Sequence, residues 1–178
     1  MGSKIPFFKI CIVGNFAVGK TTLLHQYLER RFISNVTTTI GSNFFVKYLK
    51  IPNVKNPITL QIWDLAGQEH FKWIRHEFYK GAKGIVYVFD LINRRTFDDL
   101  KKWKNEIEKS IEEYSSVLIG NKSDLLNPEN IKINKEECDD LKNFLGACGY
   151  FETSAKSGHG VEEFFLKLVI QMYKSANL

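Results

Sequence analysis

The sequence predicts an α/β fold: a six-stranded, mostly parallel sheet with one antiparallel edge strand and helices on both faces, in one domain over residues 1–178. Three observations carry this. Strand-length apolar runs alternate with amphipathic helical ones. Two consecutive strand patterns are joined by only six residues, Pro52 to Pro57, a connection short enough for a hairpin and hence for one antiparallel edge. The motifs that carry chemistry directly follow strand patterns, which is where open α/β sheets place their ligands.

Each element follows from its local pattern. Phe7 to Val13 reads as a buried strand and Lys20 to Glu29 as a helix. Asn43 to Ile51 and Ile58 to Asp64 are the hairpin strands. Gly84 to Asp90 is a strand with an apolar centre. Thr96 to Glu113 reads as one helix, because Phe97, Leu100, Trp103 and Ile107 share a face. Val117 to Gly120 is a short buried strand, Lys135 to Leu145 a helix, Tyr150 to Glu152 a short strand and Val161 to Tyr173 the last helix.

Composition sets outer limits. Apolar residues are 44% and charged residues 25% of the chain, an ordinary balance that excludes global disorder. The longest apolar stretch, near Ile85 to Phe89, is far short of the about 18 residues that a membrane span needs. After Met1-Gly2-Ser3, Lys4 and Ile5, the apolar run is broken at Lys9, unlike a secretory signal. Three cysteines, Cys11, Cys138 and Cys148, make no disulfide framework; they read as small core hydrophobes in a reducing, cytoplasmic setting. His25, His70, His76 and His159 are scattered, without zinc spacing. The net charge of +5 suits an anionic ligand. Lys101, Lys102 and Lys104 interleave with Glu106 and Glu108, a solvated helix face, so no nucleic-acid partner is expected.

The first strand leads into Gly14-Asn15-Phe16-Ala17-Val18-Gly19-Lys20-Thr21. This fits G-x-x-x-x-G-K-[ST] between a strand and a helix. Its glycines let backbone N–H groups surround phosphates at a helix N-terminus, Lys20 adds a point charge, and the Thr21 hydroxyl can ligate Mg²⁺. The motif alone specifies a nucleoside triphosphate, not which one. Asn121-Lys122-Ser123-Asp124 follows a later strand. A carboxylate there can accept from guanine N1–H and N2–H₂; adenine offers neither donor and would leave it unpaired. This disfavours a kinase or ATPase. Trp63-Asp64-Leu65-Ala66-Gly67-Gln68-Glu69 follows the third strand. Asp64 can hold a magnesium-bound water, the Gly67 N–H can approach a γ-phosphate, and Gln68 can orient an attacking water.

Together these residues resemble the small GTPases of the Ras superfamily, and most closely its Rab branch, from Phe7 to about Lys174. The remaining nucleotide motifs are Thr39-Ile40-Gly41 and Thr153-Ser154-Ala155-Lys156. Thr39 lies 19 residues after Lys20, as the family's switch threonine does. The Rab likeness rests on Thr39-Ile40-Gly41, Trp63-Asp64, Gln68-Glu69 and Phe78-Tyr79-Lys80-Gly81-Ala82.

The resemblance implies a P-loop NTPase fold of small G-protein type and a switch that binds GTP or GDP with Mg²⁺. It implies nucleotide contacts from Gly14 through Thr22, from Phe32 at the base edge, and from Thr39, Asp64, Gly67, Asn121, Lys122, Asp124, Ser154, Ala155 and Lys156. The Ala155 N–H would meet the guanine oxygen and Lys156 would pack beside Lys122. Thr21 and Thr39 would ligate the metal, Asp64 acting through water, with Lys20, Gly67 and Gln68 catalytic. Intrinsic turnover would be slow, on the order of 10⁻⁴ to 10⁻³ per second, with no arginine supplied from within the chain. Effectors, exchange factors and activating proteins would meet Phe44, Trp63, Trp73 and Phe78, in membrane traffic and with the protein a monomer.

Several residues depart from the family pattern. Phe16 stands where the family has small or polar residues, so it either crowds Gln68 or points outward. Val36 replaces a tyrosine that folds over the phosphates, and Phe78 stands where many Rab proteins have tyrosine. The last residues, Met172 to Leu178, carry no prenylation box, and Pro6 spoils a myristoylation signal. Membrane attachment is therefore expected only through a lipidated tail outside this sequence.

Overall fold

The computed structural model describes residues 6–52, 54–130 and 132–177. The expectations for Met1 to Ile5, Asn53 in the hairpin connection, and Leu178 lie outside the described residues.

Alternation of apolar side chains builds the sheet. Strand β1 (Phe7–Val13) sends Phe8, Ile10 and Ile12 to one face, and Cys11 and Val13 to the other. Strand β4 (Gly84–Asp90) is buried along its whole length, as a central parallel strand must be. With β2 (Ser42–Leu49), β3 (Ile58–Leu65), β5 (Ser115–Asn121) and β6 (Tyr150–Thr153), these form a six-stranded sheet of order β2-β3-β1-β4-β5-β6. Among the described residues, only the edge pair β2–β3 is antiparallel; its register runs from Ser42 opposite Leu65 to Leu49 opposite Ile58. All other pairs are parallel.

Helices cover both faces. On one side, α1 (Lys20–Glu29) and α6 (Val161–Ser175) pack Leu23, Leu24, Phe164, Phe165 and Leu168 against Ile10, Val86 and Ile119. On the other, α2 (Lys72–Tyr79), α3 (Arg94–Asp98), α4 (Leu100–Ile107) and α5 (Lys135–Leu145) pack on Cys11, Ile85, Tyr87 and Leu118. Helix α5 begins where Asn134 and Glu137 cap each other's backbone N–H.

The expected helices need one correction. The single helix over Thr96 to Glu113 is instead two helices, α3 and α4, meeting at Asp99 and ending at Ile107. Thr96 is held at the N-terminal end, its hydroxyl accepting from the Asp90 N–H and donating to the Asn93 carbonyl. At the other end the chain turns so that the Ser115 N–H can meet the Lys83 carbonyl and start β5. The sequence reading also set no bounds for α2, whose buried face carries Arg75 and Tyr79. Among the described residues, no helix is long and apolar enough to cross a membrane.

Candidate nucleotide site

The carboxyl ends of β1, β3 and β5 open into a cleft of about 490 Å³, a volume in the range of small-molecule sites. Phe16, Ala17, Gly19, Lys20, Thr21, Thr22, Phe32, Thr39, Gly67, Gln68, Asn121, Lys122, Asp124, Ala155 and Lys156 line it. Segments that are remote in sequence thus share one wall-to-wall site. Val36 is also in the lining.

The phosphate loop bends tightly between β1 and α1. Gly14 and Gly19 have φ of +142° and +95°, where a side chain would be strained. Ala17 takes a left-handed φ of +63° despite its Cβ. The Lys20 ammonium donates to the Gly14 and Asn15 carbonyls at 2.8 and 2.9 Å. Burial pushes it down to about 8, against the pull of the Asp64 carboxylate. An anion in the cleft would restore what burial removes from that charge.

Three oxygen donors converge beside it. Asp64 Oδ2 accepts from the Thr21 hydroxyl, and from Thr39 Oγ1 at 3.3 Å; the two hydroxyls are 3.0 Å apart. Asp64 is fully buried, and its Oδ1 has no partner among the described residues. Burial raises its pKa, opposed by Thr21, Lys20 and Thr39. A buried carboxylate oxygen left unpaired next to two hydroxyls is a hard, all-oxygen donor set. That fits Mg²⁺, which prefers oxygen and keeps waters between itself and carboxylates.

Gly67 lies against the phosphate loop. A Cβ there would stand 2.4 Å from both the Asn15 carbonyl carbon and the Phe16 nitrogen. The Gln68 Oε1 beside it is buried without a partner among the described residues. Phe16 lines the same cleft with 55% of its surface exposed, so the ring both borders the site and reaches outward. Phe32, also in the lining, is 47% exposed.

At the other end, Asp124 is exposed and one of its oxygens accepts from the Ser154 hydroxyl at 2.6 Å. Lys122 pairs with Asp90 at 2.6 Å. Asn121 is buried and ties three segments: its Nδ2 donates to the Val18 carbonyl, and its Oδ1 accepts from Thr153 Oγ1 and the Ala155 N–H. The Ala155 N–H, expected to face the base, thus has a protein acceptor, though a distant one at 3.3 Å.

Five expected contact residues stand behind the lining: Asp64, described above, and four more. Asn15 turns its side chain away, donating to Asp99 Oδ2 at 2.8 Å and accepting from Trp103 Nε1 at 2.9 Å. Gly14 and Val18 are buried under the loop, and Ser154 is buried beneath Asp124. Asn15 and Ser154 commit their side chains to other protein groups, Val18 packs into the core, and Gly14 has no side chain to offer.

Sequence reasoning missed Arg75. It is 1% exposed and forms a two-pronged pair with Glu106. The available signal was an arginine four residues before Tyr79, on the helix face that packs inward. Away from the cleft, Phe44, Trp63 and Phe78 form an aromatic ladder with successive centroids 5.2 Å apart. Trp73, on α2, is 72% exposed.

Comparison with known proteins matches this architecture. The Ras family model matches residues 9–174. Ras-related protein Rab-1D of Dictyostelium discoideum is 37% identical over 165 residues, covering 91% of this chain and 78% of that protein. Ras-related protein Rab-12 of Mus musculus is 36% identical over 171 residues, 96% of this chain and 69% of its own length. Ras-related protein Rab-8 of Diplobatis ommata is 37% identical over 171 residues, 96% and 79% respectively. The match runs through every segment that lines the cleft, and the chain belongs to the Ras family as a Rab-like small GTPase, a switch that binds guanine nucleotide and hydrolyses GTP to GDP.

Proposed function

We propose that the cleft binds GTP through the phosphate loop and Asp124, and that Gln68 positions the water that attacks the γ-phosphorus. The observation that carries this reading is the convergence of Thr21, Thr39 and Asp64 on one side of the cleft, with Lys20 and Gln68 lining it beside them. Lys20 and the backbone N–H groups of Asn15 to Thr22 hold the phosphates. Gly67 donates its N–H to a γ-phosphate oxygen, and Gln68 Oε1 accepts a hydrogen bond from the water, aiming the oxygen lone pair. The new water–phosphorus bond forms as the bond to the bridging oxygen breaks; GDP leaves and the water's protons end on phosphate and solvent. Thr21 and Thr39 would hold magnesium, with Asp64 acting through a water; when bound, the ion supplies positive charge to the phosphate oxygens. Loss of the γ-phosphate deprives Thr39 and Gly67 of a shared partner, so both switch segments relax.

Phe32 borders the base, and Asn121, Lys122, Asp124, Ser154, Ala155 and Lys156 form or support its pocket. The exposed Phe44, with Trp63, Phe78 and Trp73, offers effectors, exchange factors and activating proteins an aromatic surface whose rings suit interface anchors. The Rab names of the relatives extend the reading to membrane traffic. The protein then works as a monomeric, single-domain switch in the cytoplasm, peripheral on membranes only in a form that carries a lipidated tail.

Single-turnover hydrolysis of pre-loaded GTP with Mg²⁺ tests the reading, for wild type, Gln68→Leu and Phe16→Gly, with ATP as control. Slow hydrolysis abolished by Gln68→Leu is the expected result. Hydrolysis absent in wild type but restored by Phe16→Gly would make the chain a binding module blocked by its phosphate loop. Equal use of ATP would refute the guanine assignment.

A further inference from the structure

Arg75 is a buried charge that lies outside the nucleotide motifs. Its Nε and Nη2 donate to the two Glu106 oxygens, both at 2.8 Å. Its Nη1 donates to the Gln68 carbonyl at 3.0 Å and to the Ala66 carbonyl at 3.2 Å. Tyr79 completes the group by donating to Glu106 Oε1 at 2.7 Å. The guanidinium carbon lies 4.2 Å from the Trp103 ring centroid, and the Trp103 Nε1–H reaches Asn15 in the phosphate loop. Asp99, at the junction of α3 and α4, holds the same Asn15 from its other end.

This arrangement matters because of how Gln68 is held. Its Oε1 has no partner among the described residues, so the side chain takes its aim from the backbone. The hydrogen bonds on that backbone carbonyl come from Arg75 and from the Phe71 N–H. A planar guanidinium can serve a carboxylate and two carbonyls at fixed angles; a lysine ammonium cannot.

We propose that Arg75 is a positioning residue for hydrolysis: it grips the Ala66 and Gln68 carbonyls and, through Trp103 and Asn15, registers the second switch on the phosphate loop. The proposal rests on Gln68 being the group that positions water. Arg75 touches no substrate; it acts on the segment that does.

The test uses GDP-loaded and GTP-loaded protein in four variants: Arg75→Lys, Arg75→Met/Glu106→Gln, Trp103→Phe and Gln68→Leu. The double variant removes both charges together, which avoids stranding a buried carboxylate, and leaves Tyr79 an acceptor. Amide hydrogen exchange of GDP-loaded protein should accelerate tenfold or more at residues 66–71, with β4 and β5 unchanged. Hydrolysis should fall about tenfold while GDP affinity stays within about twofold. The Trp103 indole N–H resonance should shift in both Arg75 variants. Trp103→Phe keeps a ring under Arg75 but loses the Asn15 bond, so its effect on hydrolysis should be non-additive with that of Arg75→Lys.

Unchanged exchange at 66–71 would overturn the proposal. So would a loosened segment with undiminished hydrolysis, or β4 and β5 amides that accelerate equally, since Arg75 would then be structural alone. Additive effects of Trp103→Phe and Arg75→Lys would overturn the link to the phosphate loop. Gln68→Leu hydrolysing like wild type would overturn the underlying reading of Gln68; the exchange measurement on GDP-loaded protein needs no turnover, so the two failures are distinguishable.

Discussion

Gly67→Ala adds one methyl group at the point where the second switch meets the phosphate loop. That Cβ would lie 2.4 Å from the Asn15 carbonyl carbon and the Phe16 nitrogen, and 2.7 Å from the Asn15 oxygen. These are backbone atoms, so no side chain can swing aside. Ordinary contact begins near 3.4 Å, and the switch must therefore retreat about 1 Å from the loop. Displacements of about 1 Å cost a positioned reaction on the order of 100-fold, and Gln68 is the next residue. Gly67→Ala should thus cut single-turnover GTP hydrolysis about 100-fold. GDP affinity should change less than about threefold, because Lys20, Asp124 and the loop amides stay in place. The assay is loss of pre-bound GTP with time, with displacement of a fluorescent GDP as the affinity control. Hydrolysis within twofold of wild type would show that the switch closes in some other way and would refute the steric argument. An equal fall in GDP affinity would show that the loop, not the switch, had yielded.

Two further outcomes follow from single contacts. Ser154→Ala removes the hydroxyl that holds Asp124 at 2.6 Å; with about 1–1.5 kcal/mol of hydrogen-bonding lost, GDP should dissociate about tenfold faster, and an unchanged rate in stopped-flow displacement would show that Asp124 needs no such support. Burial pushes the Cys11 thiol from 9.0 up to about 12. A raised folded-state pKa means that the fold keeps a proton the unfolded chain gives up. The associated stability is therefore fully present below pH 9 and declines as pH rises toward 12, by up to about 1.4 kcal/mol per pH unit. Urea midpoints at pH 8 and pH 9.5 should fall less in Cys11→Ala than in wild type, and equal slopes would contradict this account.

Much of the fold was legible because its causes are local. The bounds expected for β1, α1, β4 and α5 are those observed. In β1 and β4 the apolar side chains themselves specify the element. In α1 a glycine-rich turn sets the start. The α3–α4 junction was not legible. Asp99 sits within a good helical pattern, but its carboxylate is drawn to Asn15, 84 residues away in the chain. Hydrogen bonds to Asn15 and Lys102 hold its pKa below the usual range despite partial burial.

The candidate site divides along the same line. Its segments were readable from motif order, since each follows a strand and parallel strands bring their carboxyl ends together. The direction of individual side chains was not. Asn15 and Ser154 stand inside nucleotide motifs yet bond to other protein groups, and Phe16 both borders the cleft and faces solvent.

By itself, then, the sequence determined the alternating elements, the glycine-bearing phosphate loop and the order of motifs around a guanine nucleotide. Those features depend on the periodicity, backbone freedom and chemistry of neighbouring residues. Only the tertiary structure decided that Arg75 would leave solvent to grip Gln68, Ala66 and Glu106, and that Trp103 would join it to Asn15. A buried arginine is tolerable only when several acceptors meet it at once. Here they come from a switch segment and a helix whose nearness is created by the folded sheet.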